Sequence, residues 1–310
     1  MRFILNPQAG GGRIMARWGA IARLMEDSGV PIDLARTRYP GQATKLAREA
    51  LLSGVETIVA VGGDGTLHEV VNGFFSEGRA IRPGARLGLI PGGSGSDWAR
   101  TAGIPSEPAA AIAVLLRGEA RPVDVGRVTF RDRRGDRQER HFLNSASVGL
   151  SARVAENFGH LPGWLRSPAG YAATGVAGLL RHRGSALSLR VDGERHELDR
   201  AGLVVVGNGR YFGGGMEILP SARPDDGRLD LLVAEDRSRL DRVRAMAGVY
   251  GGHHTSLPFV TERRVQVVEI EADPAAPLEL DGEVPGVTPV RIEVLPAALS
   301  FLTWGWRTRR

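Results

Sequence analysis

The sequence predicts a doubly wound α/β domain with a parallel sheet, followed by an antiparallel, β-sandwich-like domain. In the first 125 residues, short apolar segments alternate with segments of helical periodicity, and three of the apolar segments end at glycine-rich loops. From residue 126 the apolar segments are longer and mostly lack helices between them. We therefore predict domains at 1–125 and 126–295, with the C-terminal segment 296–310 packing back on the first domain.

The amino-acid composition excludes several classes of site and of protein. The 310 residues include no cysteine, which excludes disulfides, thiolate zinc sites and a cysteine nucleophile. The net charge of +5 comes almost wholly from arginine, since Lys45 is the single lysine. Basic surfaces suit nucleic acid, anionic lipid or nucleotide phosphates, but no zinc spacing or recognition helix supports nucleic acid. No apolar stretch approaches the roughly 20 residues of a membrane span, so we expect a cytoplasmic protein.

The first elements are a strand at Arg2–Leu5 and a glycine-rich loop at Asn6–Arg13, here called the first glycine loop. This loop lacks the lysine of a P-loop and fits GxGxxG poorly. A helix then runs near Met15–Ser28, and a strand spans Pro31–Thr37. A second helix runs from Pro40-Gly41 through Leu52.

The next strand and loop organise the domain. Ile58–Val61 is an unbroken apolar strand that ends at the second glycine loop, Gly62–Thr66, before a helix that ends near Gly78. Such a junction favours anions, because the first N–H groups of a helix lack internal partners and glycine lets a phosphate approach. Asp64 is then better explained as a metal ligand or proton acceptor than as a phosphate contact. The alternative is a tight turn with Asp64 or Thr66 as helix cap.

A third glycine loop, Pro91–Arg100, follows a strand at Leu87–Ile90, and a helix spans Pro108–Gly118. Loops at the carboxyl ends of parallel strands gather at one edge of a doubly wound sheet, where ligands bind. Three such loops therefore predict one ligand site rather than three unrelated turns.

The second domain contains eight predicted strands, an amphipathic helix at Arg237–Tyr250 and a helical stretch at Ser151–Leu180. The strands are Arg127–Phe130, His141–Ser147, Ala186–Val191, Leu203–Gly207, Leu229–Ala234, Val265–Glu271, Leu278–Leu280 and Val290–Leu295. The C-terminal segment combines Trp304 and Trp306 with arginines. It fits either an anchor at a membrane interface or a strand docked on the first domain.

Five blocks together resemble the diacylglycerol kinase catalytic family, which includes sphingosine and ceramide kinases and bacterial lipid kinases. The blocks are NPQAGGGR at the start, GGDGT, PGGSGSDWAR, GNGRYFGGGMEILPSARPDDGRLDLLV and LDGE. NAD kinases and phosphofructokinases carry a loop like GGDGT, but the order and spacing of all five blocks are more specific. Ser96 departs from the family pattern GTxNDFAR, in which asparagine stands at that position.

The resemblance implies an NAD kinase-like fold and ATP-dependent phosphorylation of a lipid hydroxyl in a cleft between the domains. Diacylglycerol is the favoured acceptor; a sphingoid base, ceramide, phosphatidylglycerol or a soluble NAD-like substrate stays open, as does a silent binding module. The residues implied for ATP are Asn6, Pro7, Gln8, Ala9, Gly10, Arg13, Thr37, Gly62, Gly63, Asp64, Gly65, Thr66, Leu67, His68 and Ser94. The resemblance also implies a membrane lipid as substrate and a peripheral, transient contact with the membrane surface. A homodimer is a weaker implication, and an acyl pocket is expected near Phe158–Leu180.

The resemblance also implies two magnesium sites. Asp64 and Asp97 would organise catalytic Mg²⁺ through water. Asp226 and the backbone carbonyls of Arg223 and Arg228 would hold a structural Mg²⁺, which prefers hard oxygen ligands.

An alcohol that attacks a phosphoryl group loses its proton, so a carboxylate must lie within reach. The candidates are Asp64 and Glu283, which lie on different domains. Glu283 is the proton acceptor that the resemblance implies, and we favour it as the base with Asp64 organising metal and water. The converse assignment stays open.

Overall fold

One large sheet extends through both halves of the chain. The computed structural model describes residues 1–93, 95–159, 178 and 184–306. In chain order, its elements are β1 (Arg2–Leu5), α1 (Arg13–Asp27), β2 (Asp33–Arg36), α2 (Gln42–Leu52), β3 (Thr57–Gly62), α3 (Asp64–Gly73), β4 (Phe75–Ser76), β5 (Arg79–Ala80), β6 (Arg86–Pro91), α4 (Asp97–Thr101), α5 (Pro108–Arg117), β7 (Glu119–Arg131), β8 (Arg137–Phe142), β9 (Ser145–Gly149), α6 (Leu150–Gly159), β10 (Ser185–Val191), β11 (Glu194–Gly207), β12 (Leu229–Glu235), α7 (Arg239–Gly248), β13 (Val260–Val265), β14 (Val267–Ala272), β15 (Pro277–Leu280) and β16 (Glu283–Thr303).

The N-terminal half is a parallel sheet with helices on both faces, which confirms the predicted α/β fold. Its strands lie in the order β2-β1-β3-β6, all parallel. Every residue of β3 is buried. Val59 and Val61 face the core shared with α1, whereas Ile58 and Ala60 face the core shared with α2 and α3. Strands with two covered faces require the unbroken apolar sequence seen here.

The C-terminal half is antiparallel and surrounds its own apolar core, which confirms the sandwich-like domain. The predicted strand His141–Ser147 was wrong in one respect, because it forms two strands, β8 and β9. The chain turns at Asn144, whose carbonyl accepts hydrogen bonds from the backbone N–H groups of Asn208 and Gly209. Likewise, the predicted strand Val265–Glu271 is interrupted at Gln266, between β13 and β14.

Two long strands connect the halves. The predicted domain boundary at residue 125 falls inside β7, which pairs antiparallel with β16. The end of β16 then runs parallel to β6, with Phe301 opposite Leu87. Phe301 and Trp306 both contact Trp98 of the third glycine loop. Residues 299–306 therefore lie against the first half of the molecule.

Two predicted helices differ in extent. The helix after β3 ends at Gly73, earlier than the expected Gly78, because Glu77 and Gly78 take positive φ angles in the β4–β5 hairpin. Of the helical stretch predicted over 151–180, α6 accounts for the first part. Most of the remainder, including the side chains of the expected acyl pocket, lies outside the described residues. In the described part of the chain, no helix has the length and apolar character needed to cross a membrane.

Candidate active site

The three glycine loops lie against one another at the carboxyl edge of the parallel sheet. A Cβ atom added to Gly10 would lie 2.3 Å from the carbonyl oxygen of Gly92, so the first and third loops touch. A Cβ on Gly63 would lie 3.1 Å from the Cα of Gly93, so the second and third also touch. Side chains at these positions would separate the loops. Glycine therefore allows the three backbones to form one surface.

Side chains reinforce this arrangement. Asn6 donates a hydrogen bond of 3.0 Å from Nδ2 to the hydroxyl of Thr66, and its Oδ1 accepts from the N–H of Gln8. Arg13 donates from Nε to the carbonyl of Gly10 at 2.8 Å. Gly65 faces open space, since a Cβ there would meet nothing within 4 Å. The surface thus remains open to an approaching ligand at the start of α3.

The remaining residues implied for ATP differ in their surroundings. Thr37 follows β2 at the same edge, and its N–H bonds the carbonyl of Leu5. The side chain of Leu67 packs into the core, and its N–H donates to the carbonyl of Gly63. Neither group is therefore available to a ligand at the loops. Pro7 and Ala9 lie in the first glycine loop beside Gly10. Ser94 lies outside the described residues.

Asp64 and Asp97 form an acid pair between the second and third glycine loops. The two carboxylate oxygens of Asp64 accept hydrogen bonds of 3.2 Å from the backbone N–H groups of Asp97 and Trp98. Burial and the nearby Asp97 carboxylate raise the pKa of Asp64 to about 6, although the two amides lower it. A buried carboxylate beside a second carboxylate forms a place where a cation is stabilised.

Asp97 is held from the second half of the chain. The backbone N–H of Gly214 donates to its Oδ2 at 2.8 Å, and Arg100 donates to its Oδ1 at 2.9 Å. Burial raises the pKa of Asp97 despite these partners. Arg100 also bonds the carbonyl of Gly95. Sequence reasoning missed the role of Gly214, although three consecutive glycines, 213–215, all with positive φ, were a visible signal of an unusual turn.

His68, on α3, joins the two halves of the chain. Its Nδ1 donates to Oδ2 of Asp281 at 2.9 Å, and both side chains are almost fully buried. Burial lowers the pKa of His68, but the Asp281 hydrogen bond and the charges of Asp281 and Glu283 outweigh it, so the pKa is raised overall. The side chain is therefore engaged with Asp281, and a contact of His68 with ATP stays a prediction of the resemblance.

The turn that carries Glu283 is fixed from several directions. Asp281 and Gly282 form a two-residue hairpin turn with φ of 46° and 94° between β15 and β16. The other oxygen of Asp281 accepts from the N–H of Ser145 at 2.9 Å. Buried Glu279 accepts from the N–H of Gly282 at 2.6 Å and from the Ser147 hydroxyl. The sequence revealed the hairpin but not these partners.

Glu283 itself faces a cleft of about 810 Å³ between the halves. The cleft is lined by parts of α2, α3 and β8, among them Thr44, Arg48, His68, Asn72 and Arg140. Glu283 is half exposed, and Arg140 lies 3.3 Å from its carboxylate. A hydroxyl group that enters the cleft can thus reach this carboxylate.

The predicted structural metal site lies at the start of β12, away from the cleft. Asp226 accepts a hydrogen bond from the N–H of Arg228 and forms an ion pair with Arg264. Asp230, opposite Arg264 in the sheet, is buried with both carboxylate oxygens unbonded within the described chain. Burial and the charges of Glu262 and Asp226 raise the pKa of Asp230 to about 7. These carboxylates suit a hard cation, whereas no group of three or more His, Asp or Glu in the described residues forms a metal cluster.

Comparison with known proteins decides the family. The sequence-family model of the diacylglycerol kinase catalytic domain matches residues 1–128. The family model of the YegS C-terminal NAD kinase beta sandwich-like domain matches residues 144–303. A protein named "Probable lipid kinase YegS-like" from Pseudomonas aeruginosa is 35% identical over 300 residues, 94% of this chain and 90% of its own length. The chain belongs to the diacylglycerol kinase catalytic family.

Other relatives extend this comparison. A diacylglycerol kinase of Mycobacterium tuberculosis is 31% identical over 301 residues, covering 96% of this chain and 93% of its own. The crystal structure of a diacylglycerol kinase from Bacillus anthracis superposes with a TM-score of 0.72 at 26% identity, covering 97% of this chain and 96% of that one. Yeast NADH kinase shares the fold, with a TM-score of 0.51 at 11% identity over 97% of this chain and 81% of its own. The diacylglycerol kinase family thus spans both halves of the chain.

Proposed function

We propose that this member of the diacylglycerol kinase catalytic family is an ATP-dependent lipid kinase, with the hydroxyl of diacylglycerol as the favoured acceptor and phosphatidic acid as product. One observation carries the proposal: a buried contact holds the Glu283 turn against the helix that begins at Asp64. The hydrogen bond between His68 and Asp281 joins the helix of the second glycine loop to that turn. The charge of Asp281 even reaches Asp64, whose pKa it helps to raise.

The nucleotide is proposed to bind at the three glycine loops. Their N–H groups and the open face of Gly65 would receive the phosphates, and Asn6 and Thr66 hold the first loop against the second. Arg13 is bonded to Gly10 at the rim of the same loops, where its guanidinium would add positive charge. Nucleotide bound there would present its γ-phosphoryl group to the acceptor, and alignment is most of what such a transfer requires.

Asp64 and Asp97 would hold the catalytic Mg²⁺ through water, and the cation would neutralise charge on the transferring phosphoryl oxygens. The residues fit this role because burial raises the pKa of both carboxyl groups, and a nearby cation would stabilise their charged forms. Asp226, with carbonyls of Arg223 and Arg228 and the neighbouring carboxylate of Asp230, would hold the structural Mg²⁺. The unbonded oxygens of Asp230 support that second site.

Glu283 is proposed as the proton acceptor. Its carboxylate is exposed in the cleft, where an alcohol can approach within hydrogen-bond distance. By contrast, both oxygens of Asp64 already accept backbone N–H groups. Asp64 is thereby oriented for a role in organising metal and water.

Turnover with γ-labelled ATP and Mg²⁺ tests the proposal. Vesicles would contain diacylglycerol, a sphingoid base, ceramide or phosphatidylglycerol in turn, with NAD as a soluble acceptor. We expect label in diacylglycerol, lost in Asp64→Asn and retained in the matched surface variant Asp199→Asn. Label in another lipid would correct the acceptor, label only in NAD would replace the lipid kinase with a soluble-substrate kinase, and no label would contradict the activity.

A further inference from the structure

The outer face of α7 and the turn after it carries an exposed apolar stripe. Leu240, Val243 and Tyr250 are 58%, 47% and 62% exposed, and Ala247 lies exposed between them. The spacing of these four residues, three, four and three positions apart, places them on one side of a helix and its continuation. Single exposed apolar residues are ordinary, but a row of them on one helix is typical of an interaction surface.

The opposite face of α7 is fixed to the protein, so the stripe has a defined direction. Ala245 and Met246 pack against the core cluster that contains Leu232. Arg242 pairs with the buried carboxylate of Asp236 at 2.6 Å. Because these contacts determine the rotation of the helix, Leu240 and Val243 point away from the core.

Arginines flank the stripe and outnumber the acids by one. Residues 235–250 include four arginines and three acids, Glu235, Asp236 and Asp241. Among the exposed arginines beside the apolar residues, Arg237 pairs with Glu235 at 3.3 Å and Arg244 with Asp241 at 3.4 Å, whereas Arg239 forms no ion pair within the described chain. Arginines that flank an apolar helix face are the composition of helices that lie in the plane of an anionic bilayer surface. A second copy of this face would bring the same arginines together, which disfavours a symmetric contact between two α7 helices.

We propose that this surface, formed by Leu240, Val243, Ala247, Tyr250 and the exposed Arg237, Arg239 and Arg244 and here called the α7 face, docks the protein on anionic lipid bilayers. The inference rests on the proposed lipid kinase function, which requires access to a lipid in a membrane. Of the C-terminal tryptophans, Trp306 packs against Trp98 and Phe301, whereas Trp304 is 54% exposed.

The base of α7 is also linked to the acid pair through the backbone. Gly214 holds Asp97, and three residues later the N–H of Glu217 donates to the carbonyl of Val249 at 2.9 Å, directly before Tyr250. The segment between Gly214 and Glu217 therefore runs from the catalytic acids to the end of the α7 face.

Vesicle sedimentation tests the docking. Sucrose-loaded vesicles of phosphatidylcholine with phosphatidylglycerol would be compared with phosphatidylcholine alone. We expect the wild-type protein to prefer the anionic vesicles, Leu240→Asp to bind them about tenfold more weakly, and Arg239→Gln about fivefold more weakly. Leu52→Asp is the matched control, since Leu52 is 70% exposed at the end of α2 in the other half of the protein.

Equal binding of wild type and Leu240→Asp, or an equal loss in Leu52→Asp, would overturn the proposal. So would a dimer in sedimentation velocity that Leu240→Asp dissociates, because the α7 face would then contact a second copy. Turnover of a short-chain, water-soluble diacylglycerol separates this test from the kinase proposal. Leu240→Asp should retain that turnover while losing vesicle binding; no turnover in the wild type, with the binding differences intact, would contradict the kinase and leave the docking.

Discussion

The acid pair and the Glu283 turn lie near each other but are held in different ways. Asp64 is oriented by backbone N–H groups of the third glycine loop, and it stands at the end of a buried parallel strand. The turn at Asp281–Glu283 is instead held by side chains and N–H groups from α3, β9 and β15. Backbone N–H groups thus hold Asp64, whereas buried side chains hold most of the Glu283 turn.

This difference determines how each region responds to change. A backbone cradle survives the loss of one neighbouring side chain, so a substitution at Asp64 itself should remove chemistry and little else. A turn fixed by side chains can be displaced without touching the catalytic carboxylate. Displacements well below the size of a side chain are enough to reduce transfer, because reacting groups must be aligned closely.

The largest effect is expected from Asp64→Asn. The amide is nearly the same size but supplies no negative charge for metal, so kcat should fall by about a hundredfold to a thousandfold. Steady-state kinetics with saturating ATP and Mg²⁺ measures it, and circular dichroism checks the fold. Asp199→Asn on the exposed end of β11 is the control. Turnover near the wild-type value would remove Asp64 from both metal binding and proton transfer.

Asp281→Asn should have the next largest effect. An asparagine amide at position 281 would bond His68 more weakly than the carboxylate does, so Glu283 would be held less firmly relative to the glycine loops. We expect kcat to fall about tenfold to a hundredfold, with KM for ATP within about twofold of the wild-type value. Asp192 offers a matched control, because Asp192-Gly193 forms a similar hairpin turn, with φ of 48° and 94°, between β10 and β11. Its carboxylate likewise accepts backbone N–H groups.

Asp192→Asn should leave kcat unchanged. Equal losses in the two variants would mean that the Asp281 result reports a general effect of weakened turns. A rise in KM for ATP without a change in kcat would instead assign His68 and Asp281 to nucleotide binding, as the resemblance implied for His68.

The sequence was informative where local pattern determines structure. Ile58–Val61 predicted a buried parallel strand because both of its faces are apolar, and the glycines after it predicted a junction open to anions. The hairpin at Asp281-Gly282 was likewise visible from its turn residues. These features depend on neighbours in sequence, so residue type and spacing were sufficient to predict them.

The contacts between the two halves of the molecule could not be predicted in the same way. His68 and Asp281 are 213 positions apart, and nothing in either local pattern indicates the other. The same holds for Gly214 and Asp97, which are separated by 117 positions. Such pairs depend on how the long strands β7 and β16 place one half against the other. The strand boundaries at Asn144 and Gln266 also follow from these distant contacts.

A substitution at Glu279, which holds the Glu283 turn, tests that turn by its effect on stability rather than on turnover. Burial raises its pKa from 4.5 to about 7, although the bonds from Ser147 and Gly282 lower it. The folded protein therefore keeps a proton that the unfolded chain releases, and stability contributed by protonated Glu279 is lost as pH rises from about 4.5 to about 7. Glu279→Gln cannot ionise. Relative to wild type, its free energy of unfolding should improve by up to about 3 kcal/mol between pH 4.5 and pH 8.

Urea unfolding of both proteins at the two pH values measures this difference. Glu197→Gln, at an exposed position on β11, serves as the control for a general charge effect. A difference in unfolding free energy that does not change with pH would show that Glu279 is ionised in both states and that its bond to Gly282 is an ordinary ion–amide contact.

The smallest effect is expected from Arg140→Gln. Arg140 and Glu283 are 42% and 47% exposed at 3.3 Å, and ion pairs so open to water contribute at most about 1 kcal/mol. Because the backbone partners of the turn remain, Glu283 should keep its place, and kcat should stay within about threefold of wild type. A tenfold loss would mean that Arg140 meets the transferring phosphate or the lipid rather than only its neighbour. The cleft wall formed by β8 would then belong to the reaction site, and the second half of the molecule would supply charge as well as the base.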